Sequence, residues 1–480
     1  MRPHGSPVKV RLTYRRLLTW SVFTALALSI VYRSLSYSLC ADEIEHVHAS
    51  WKVLQGERVY VDFFEHHHPL LYFVLAPLIE ACGEHSSTLL VCRLAMLPFV
   101  AGVVLITFVL SRRAFGPRTA MLAALLLMAT PSFVAKAIEV RPDVPQTFFG
   151  LLALLLLCPR KGRPSWLACG AAGVCLGIAF LFLQKAVFFA AALGAVMLWR
   201  VARRQMGMAG VLALAAGALL PLIPFAWWLT CRNDLAQYFL VNWTLNAHFI
   251  GGPGLPNVVK NLTKVLLFEP GICLLTVLAL TRLPRSAKRR ELMFLAVGTG
   301  LLLFFGRSPQ LQSWLALFPL LAILAAAAFV RMRGLRSRRA LALLAGCVLL
   351  PGLIGSVTLD PNRAFLHKYT YRKLGDQLRE IDYVLAITGP EDRVYDASAQ
   401  FNLFRHDVDY FWFSIAPDEA LAAYRSLRPV EFELYGIIAR TQPKVVSTFL
   451  ISKEDPRIKN RYRVSQSFAD LLIRRDTPAR

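Results

Sequence analysis

Acidic residues are scarce in this chain. Its 480 residues include 30 Asp or Glu against 54 Lys or Arg, and most long apolar runs of the first 360 residues are nearly free of carboxylates. Nucleotide signatures are missing too. There is no P-loop, GxGxxG, GxSxG or kinase pattern, so the chain does not look built to use ATP or a dinucleotide. The nine cysteines show no CxxC or zinc-finger spacing, and most sit inside apolar runs as small core residues. Cys40 and Cys82 share one loop, where a disulfide requires an oxidising side; their spacing leaves pairing open. HExxH is absent, since HVHAS and EHHHP do not match it. No internal repeat or low-complexity segment is found.

What is present is apolar surface. The chain is 56% hydrophobic with a mean hydropathy of +0.49. Runs of ~20 apolar residues, each about one bilayer crossing, place it among polytopic helical membrane proteins. Stretches such as MLAALLLMAT lack the polar stripe of a soluble helix. The first run, Leu17 to Leu39, follows a basic N-terminus and reads as a retained span. Further runs lie near 88–111, 119–135, 144–158, 166–183, 187–199, 208–230, 264–281, 292–306, 314–330 and 340–358, which predicts about eleven spans. Beyond residue 360 charges become mixed and short β-rich runs alternate with helical ones. Residues 360–480 therefore read as a small soluble α/β domain, and residues 1–359 as the membrane domain.

The net charge of +24 does not point to nucleic acid. Residues 1–359 hold 35 basic against 13 acidic residues, whereas residues 360–480 hold 19 against 17. The excess sits in short clusters between apolar runs. Odd-numbered sides of the predicted spans carry 24 Lys or Arg and even-numbered loops carry 8. This bias predicts a cytoplasmic N-terminus and, with eleven spans, an outward C-terminal domain.

The acids run the other way. Asp42, Glu43, Glu45, Glu57, Asp62, Glu65, Glu80 and Glu84 all fall in the first outer loop, so carboxylate chemistry would face outward. Asp42-Glu43 opens that loop as either a general base or a solvated helix cap. Asp42, Glu45, His46 and Ala49 share a helical face. Glu45, His46, His66 and His67 are the metal-ligand candidates, against an interfacial loop whose histidines meet water or headgroups. IEVRPDVP places Arg141 and Asp143 around Pro142, either as phosphate and acceptor contacts or as an interfacial salt bridge. Lys185, in FLQKAVFF, meets an anionic lipid phosphate or merely snorkels. RSPQLQSW supplies Arg307 and Gln310 in a short outer loop. Sequons at Asn242 and Asn261 are patterns only.

The order of these motifs resembles the GT-C class of polyprenyl-phosphate-sugar-dependent glycosyltransferases, in particular the protein-mannosyltransferase-like and aminoarabinose-transferase-like enzymes. The resemblance rests on Asp42-Glu43 after the first span, the stretch from Gly56 to Leu70 (GERVYVDFFEHHHPL), and Arg141-Pro142-Asp143 after the third. Lys185 and LQSWLALFPLLAIL extend it in layout over most of residues 1–330. The chain departs from that pattern in having Gln184 before the lysine, Trp314 for a tyrosine, and His68 where aminoarabinose transferases often carry lysine.

The resemblance implies an all-α polytopic GT-C fold carrying the small C-terminal domain. It implies transfer, with inversion, from a sugar on polyprenyl phosphate to a lipid, glycan or protein acceptor. Asp42 would be the catalytic base or the acceptor-orienting acid, supported by Glu43 and Asp143. Lys185, Arg141 and Arg307 would hold the donor phosphate, and Glu65, His68 and Gln310 would contact substrate. No cofactor is demanded, and a divalent metal is compatible. The setting implied is a bacterial inner membrane. Two rivals remain: a lipid or sugar transporter, which would show inverted repeats and midplane charges, and a polysaccharide polymerase or ligase. Arg93 and Glu269 are the charges closest to that midplane pattern.

Overall fold

A computed structural model of the chain describes residues 7–249, 269–281, 286–305, 311–332, 373–397, 399–411, 419–428 and 432–477, with isolated positions at 259, 263 and 266. Helices dominate the first 332 residues. They are α1 (Pro7–Ser36), α2 (Ala41–Leu54), α3 (Leu70–Cys82), α4 (Ser86–Phe115), α5 (Pro117–Ala129), α6 (Pro131–Ala137), α7 (Asp143–Leu157), α8 (Trp166–Phe182), α9 (Ala186–Ala202), α10 (Met208–Leu219) and α11 (Leu222–Cys231). Pro270–Leu280, Ala287–Phe305 and Phe318–Met332 follow.

The expected count of eleven spans is not reached among the described residues. Three helical stretches, Leu17–Ser36, Ser86–Phe115 and Met208–Cys231, are long and apolar enough to cross a bilayer. The pair α5 and α6 is apolar enough together but bent by 67°, which makes it either a broken span or a re-entrant loop. The bend falls where Pro131 cannot donate to the helix ladder. The remaining apolar helices described, such as α7, α8 and α9, are shorter, and the run at 340–358 lies outside the described residues. The short helices pack against one another, so neighbours and not length alone shield their ends. α8 and α10 show this most tightly: a Cβ on Gly173 would lie 2.1 Å from the Leu214 carbonyl oxygen.

Residues 373–477 carry a four-stranded sheet in the order β1 (Val394–Tyr395), β2 (Val445–Ser447), β4 (Leu471–Arg474), β3 (Tyr462–Val464). β1 and β2 are parallel; the other two pairings are antiparallel. This part does not stand apart. One apolar core joins Ile44, Val47, Trp51, Tyr60 and Phe63 of the first loop to Phe401, Phe404 and Phe411. Polar contacts tighten the join. Gln377 brackets the Leu39 backbone, accepting from its N–H at 2.7 Å and donating to its carbonyl at 3.1 Å. Asp407 meets His48 at 3.0 Å and also takes Lys52.

The start of α2 is fixed by a buried ion pair. Arg93, on α4, donates to both Glu43 carboxylate oxygens, at 2.7 and 2.6 Å. Its other contacts are the carbonyls of Tyr37 (2.7 Å), Ser38 (2.9 Å) and Ser34 (3.3 Å), at and just beyond the end of α1. Glu43 also accepts the N–H of Cys40 at 3.0 Å and of Val140 at 3.1 Å. Neither side chain is exposed. Arg93 is thus a structural partner of Glu43. Glu269, the other candidate, is buried and accepts the Ser132 N–H at 2.8 Å.

Breaking such a pair from one side leaves an uncompensated buried charge, which costs ~3–5 kcal/mol. Glu43→Ala and Arg93→Ala are each expected to lower the thermal midpoint of the purified protein strongly. Glu43→Leu combined with Arg93→Met is expected to recover much of that loss, measured by unfolding in detergent.

Candidate active site

α2 presents two faces. Ile44, Val47, His48, Trp51 and Lys52 pack under or against residues of the C-terminal part. Asp42, Glu45 and His46 lie on the other side, where the sequence periodicity placed them together.

Asp42 is in the first turn of α2, where the helix dipole favours a negative charge. Its side chain is 37% exposed, unlike that of its neighbour Glu43, which has none. The partner of Asp42 is Arg141, which donates to it at 2.5 Å. Arg141 also donates to Glu139 at 3.2 Å and stands 3.5 Å from Asp143. Lys136 completes the group with a 2.6 Å bond to Glu139. Two cations and three carboxylates are held here by the short segment 136–143 and the first turn of α2. Desolvation is the largest influence and raises the Asp42 carboxyl, but the charge and hydrogen bond of Arg141, with the charges of His46 and Lys136, together outweigh it and hold the group well below the usual carboxylate range.

Lys185 caps the start of α9 and donates to Ser313 at 3.3 Å. Burial lowers its ammonium pKa, while the charges of Asp143 and Asp42 oppose that shift. It therefore shares a field with the Asp42–Arg141 group. Arg307 and Gln310 lie outside the described residues.

A second group forms beside the first. Potential ligand atoms of Glu45, Glu65, His66 and His67 all lie within 4.8 Å of one another. Glu65 Oε1 meets the His67 ring at 2.8 Å and the His67 N–H at 2.9 Å. Among the described residues, Glu65 Oε2 is buried without a hydrogen-bond partner of good geometry. Burial, with the His67 charge next, pulls His66 down to about 3. Burial and the charges of Glu65 and Asp42 push Glu45 up. Glu65, expected as a substrate contact, sits among the potential metal ligands. His46, expected as a ligand, stays outside the group: its ring stacks edge-on against His67 at 5.1 Å, and Nδ1 faces the Tyr72 hydroxyl at 3.4 Å.

His68, expected to contact substrate, has both ring nitrogens engaged by protein groups. Nδ1 donates to the Phe180 carbonyl, and Nε2 accepts from the Tyr238 hydroxyl at 3.0 Å. Trp243 in turn donates to Tyr238 at 3.1 Å. His68 is thus a strut between two segments of the chain. Gln184 and Asn246 bind the His66 carbonyl at 2.7 and 3.0 Å, which pins the histidine run from the same side. Tyr238 and Trp243 flank or sit in a π-helical turn, Leu240–Leu245. Asn242 of the first sequon is buried there. Cys40 and Cys82 are free thiols.

Sequence reasoning missed Lys136, Glu139 and the grip of Asp407. Glu139 stood in the quoted IEVRPDVP motif, so its place on Arg141 was within reach. Asp407 gave no local signal, being 355 residues from Lys52.

Comparison with solved structures decides the fold. ArnT from Cupriavidus metallidurans bound to undecaprenyl phosphate matches with a TM-score of 0.66 and 16% identity, over 95% of this chain and 97% of that one. The chain has the GT-C fold. The apo state of the same ArnT gives a TM-score of 0.65 at 16% identity, over 96% and 98%. The Archaeoglobus fulgidus oligosaccharyltransferase in complex with Zn and sulfate matches with a TM-score of 0.51 at 18% identity, over 80% of this chain and 62% of that one. In sequence, residues 66–228 match the family described as dolichyl-phosphate-mannose-protein mannosyltransferase. No curated protein matches the chain. The resemblance read from the motifs therefore stands: fold and matched segment are those of membrane-embedded glycosyltransferases.

Burial, against the raising effect of the Phe180 carbonyl and helped by the His67 charge, lowers His68 from an ordinary 6.5 to about 4. In the unfolded chain this ring takes a proton at a higher pH than in the folded one. Its contribution to stability is present above pH 6.5 and is lost as pH falls toward 4. The thermal midpoint should fall across that window, and His68→Gln should flatten this part of the profile.

Proposed function

We propose that the chain is an inverting glycosyltransferase that moves one sugar from a polyprenyl-phosphate donor to a lipid, glycan or protein acceptor at the outer membrane face. The observation that supports this most directly is the convergence of an exposed carboxylate, Asp42, with Arg141 and the field of Lys185. These are the three charges such a transfer needs. The acceptor X–H attacks the anomeric carbon, the C–O bond to phosphate breaks, and polyprenyl phosphate leaves with the electron pair. The acceptor proton passes to or is held by Asp42. Arg141 and Lys185 stabilise charge on the departing phosphate. No nucleotide is consumed, in keeping with the missing nucleotide motifs. The neighbour ArnT is bound to undecaprenyl phosphate, a lipid of the donor's class.

Arg141 links the two halves of the reaction. While it binds Asp42, the carboxylate is a weak base. A donor phosphate competes for the same guanidinium. As Arg141 turns to the phosphate, Asp42 regains proton affinity, so basicity rises only when the donor is in place. Glu43, saturated by Arg93, positions Asp42 and does not touch substrate. Asp143 keeps Arg141 oriented.

A divalent ion fits the second group. Its donor set is two carboxylates and two imidazoles, one carboxylate oxygen has no well-formed hydrogen bond among the described residues, and burial keeps His66 neutral. Glu45, Glu65, His66 and His67 would hold the ion, after the ligand atoms draw together by about 1 Å. Such an ion would supply positive charge near the donor phosphate.

Purified protein, a radiolabelled polyprenyl-phosphate sugar and candidate acceptors test the reading. Asp42→Asn is expected to cut transfer by roughly 10²–10⁴-fold, with donor KM nearly unchanged. An unchanged rate would overturn the assignment, and lipid movement without label transfer would favour the transporter. Elemental analysis tests the metal separately: a near-stoichiometric divalent ion is expected, falling sharply in His66→Ala/His67→Ala.

A further inference from the structure

The opposite end of the bundle carries a site that the transfer reaction does not use. A cavity of about 320 Å³ lies between the end of α4 and the turn after α7, lined among the described residues by Val109, Arg112, Arg113 and Arg160. Three arginines thus border one small volume, with no carboxylate among the described lining residues. In the clusters on this side, 112–118, 159–165, 200–207 and 282–291, the one acid is Glu291. It is already taken by Arg200, at 2.8 and 2.6 Å. Like charges gathered around a cavity repel unless an anion joins them.

Arg113 is held in place rather than free to snorkel away. Its Nη1 donates to the Leu155 and Cys158 carbonyls, at 2.9 and 2.6 Å, and so caps the end of α7. Its Nε is buried and has no hydrogen-bond partner among the described residues. A buried donor left unpaired is costly in a folded protein, and an acceptor oxygen supplied from outside would satisfy it. Arg112 and Arg160 are exposed and complete the rim.

The approach to the cavity is apolar. Leu105, 61% exposed, Val109 and Arg112 stand at i, i+4 and i+7 on α4. An acyl chain lying along Leu105 and Val109 would bring its headgroup to the arginines. By the charge count this end of α4 faces the cytoplasm, where anionic lipids meet basic pockets between spans. A free phosphate would use the arginines but not the apolar face.

We propose that this pocket binds the phosphate of an anionic glycerophospholipid, distinct from the donor lipid and on the other membrane face. It would tie α4 to α7, both of which lead to the outer site. The inference rests on the membrane fold and not on the proposed reaction.

The test uses the full-length protein, delipidated in detergent and titrated with phosphatidylglycerol or phosphatidylcholine. Bound lipid is read by native mass spectrometry, together with the thermal midpoint. Phosphatidylglycerol is expected to bind preferentially and raise the midpoint. Arg112→Gln/Arg160→Gln should weaken that binding roughly tenfold or more, while Arg113 is kept because it caps α7. Sugar transfer at saturating donor should remain measurable in this variant. Equal binding of the two lipids would overturn the proposal, as would a double variant that keeps the preference. Inorganic phosphate that protects as well as the lipid would overturn the lipid assignment.

Discussion

The Glu43–Arg93 pair is the constraint on which the outer site depends. An isolated ion pair this deep would gain little over an apolar contact of the same shape. Here the pair gathers other unsatisfied groups. Arg93 takes three carbonyls at and beyond the end of α1, and Glu43 takes amides from the start of α2 and from Val140. Four chain segments are registered by one bidentate contact. Asp42 precedes Glu43 and is thereby turned toward Arg141, with Val140 anchored one residue away from that arginine.

Much of this was legible in the sequence, but not all of it in the right roles. The acidic pair after the first span, its separation from the basic clusters and the order of the later motifs located the site. The sequence could not say which acid would face solvent. That depends on Arg93, fifty positions along the chain and buried. Helical periodicity put Glu45 and His46 on one face, yet which loop residues fold back onto it is set by tertiary contacts. Tyr60 adopts a positive φ of 75°, and its hydroxyl binds the His67 carbonyl at 2.9 Å, shaping the loop that delivers Glu65 in place of a substrate contact. No local pattern announces a tyrosine in that conformation.

The span count was not reached among the described residues for a related reason. Hydropathy measures each run as though it faced lipid alone. α7, α8 and α9 are short and pack among their neighbours, and α5 and α6 are separated by a sharp bend at proline. The composition shift after residue 360 marked a change of chemistry, while the apolar core shared with the first loop runs through it.

The two-faced α2 has a consequence for how the protein is made. His48 and Lys52 wait for Asp407, which is added some 355 residues later. At typical synthesis rates that is a delay of ~20–70 s. Throughout it, Trp51, Tyr60 and Phe63 lack their final covering, while the helices around them are already being inserted. The segment from α2 to Phe63 is made early and is among the last to be finished. Its assembly is governed by the order of synthesis as much as by the strength of any contact within it.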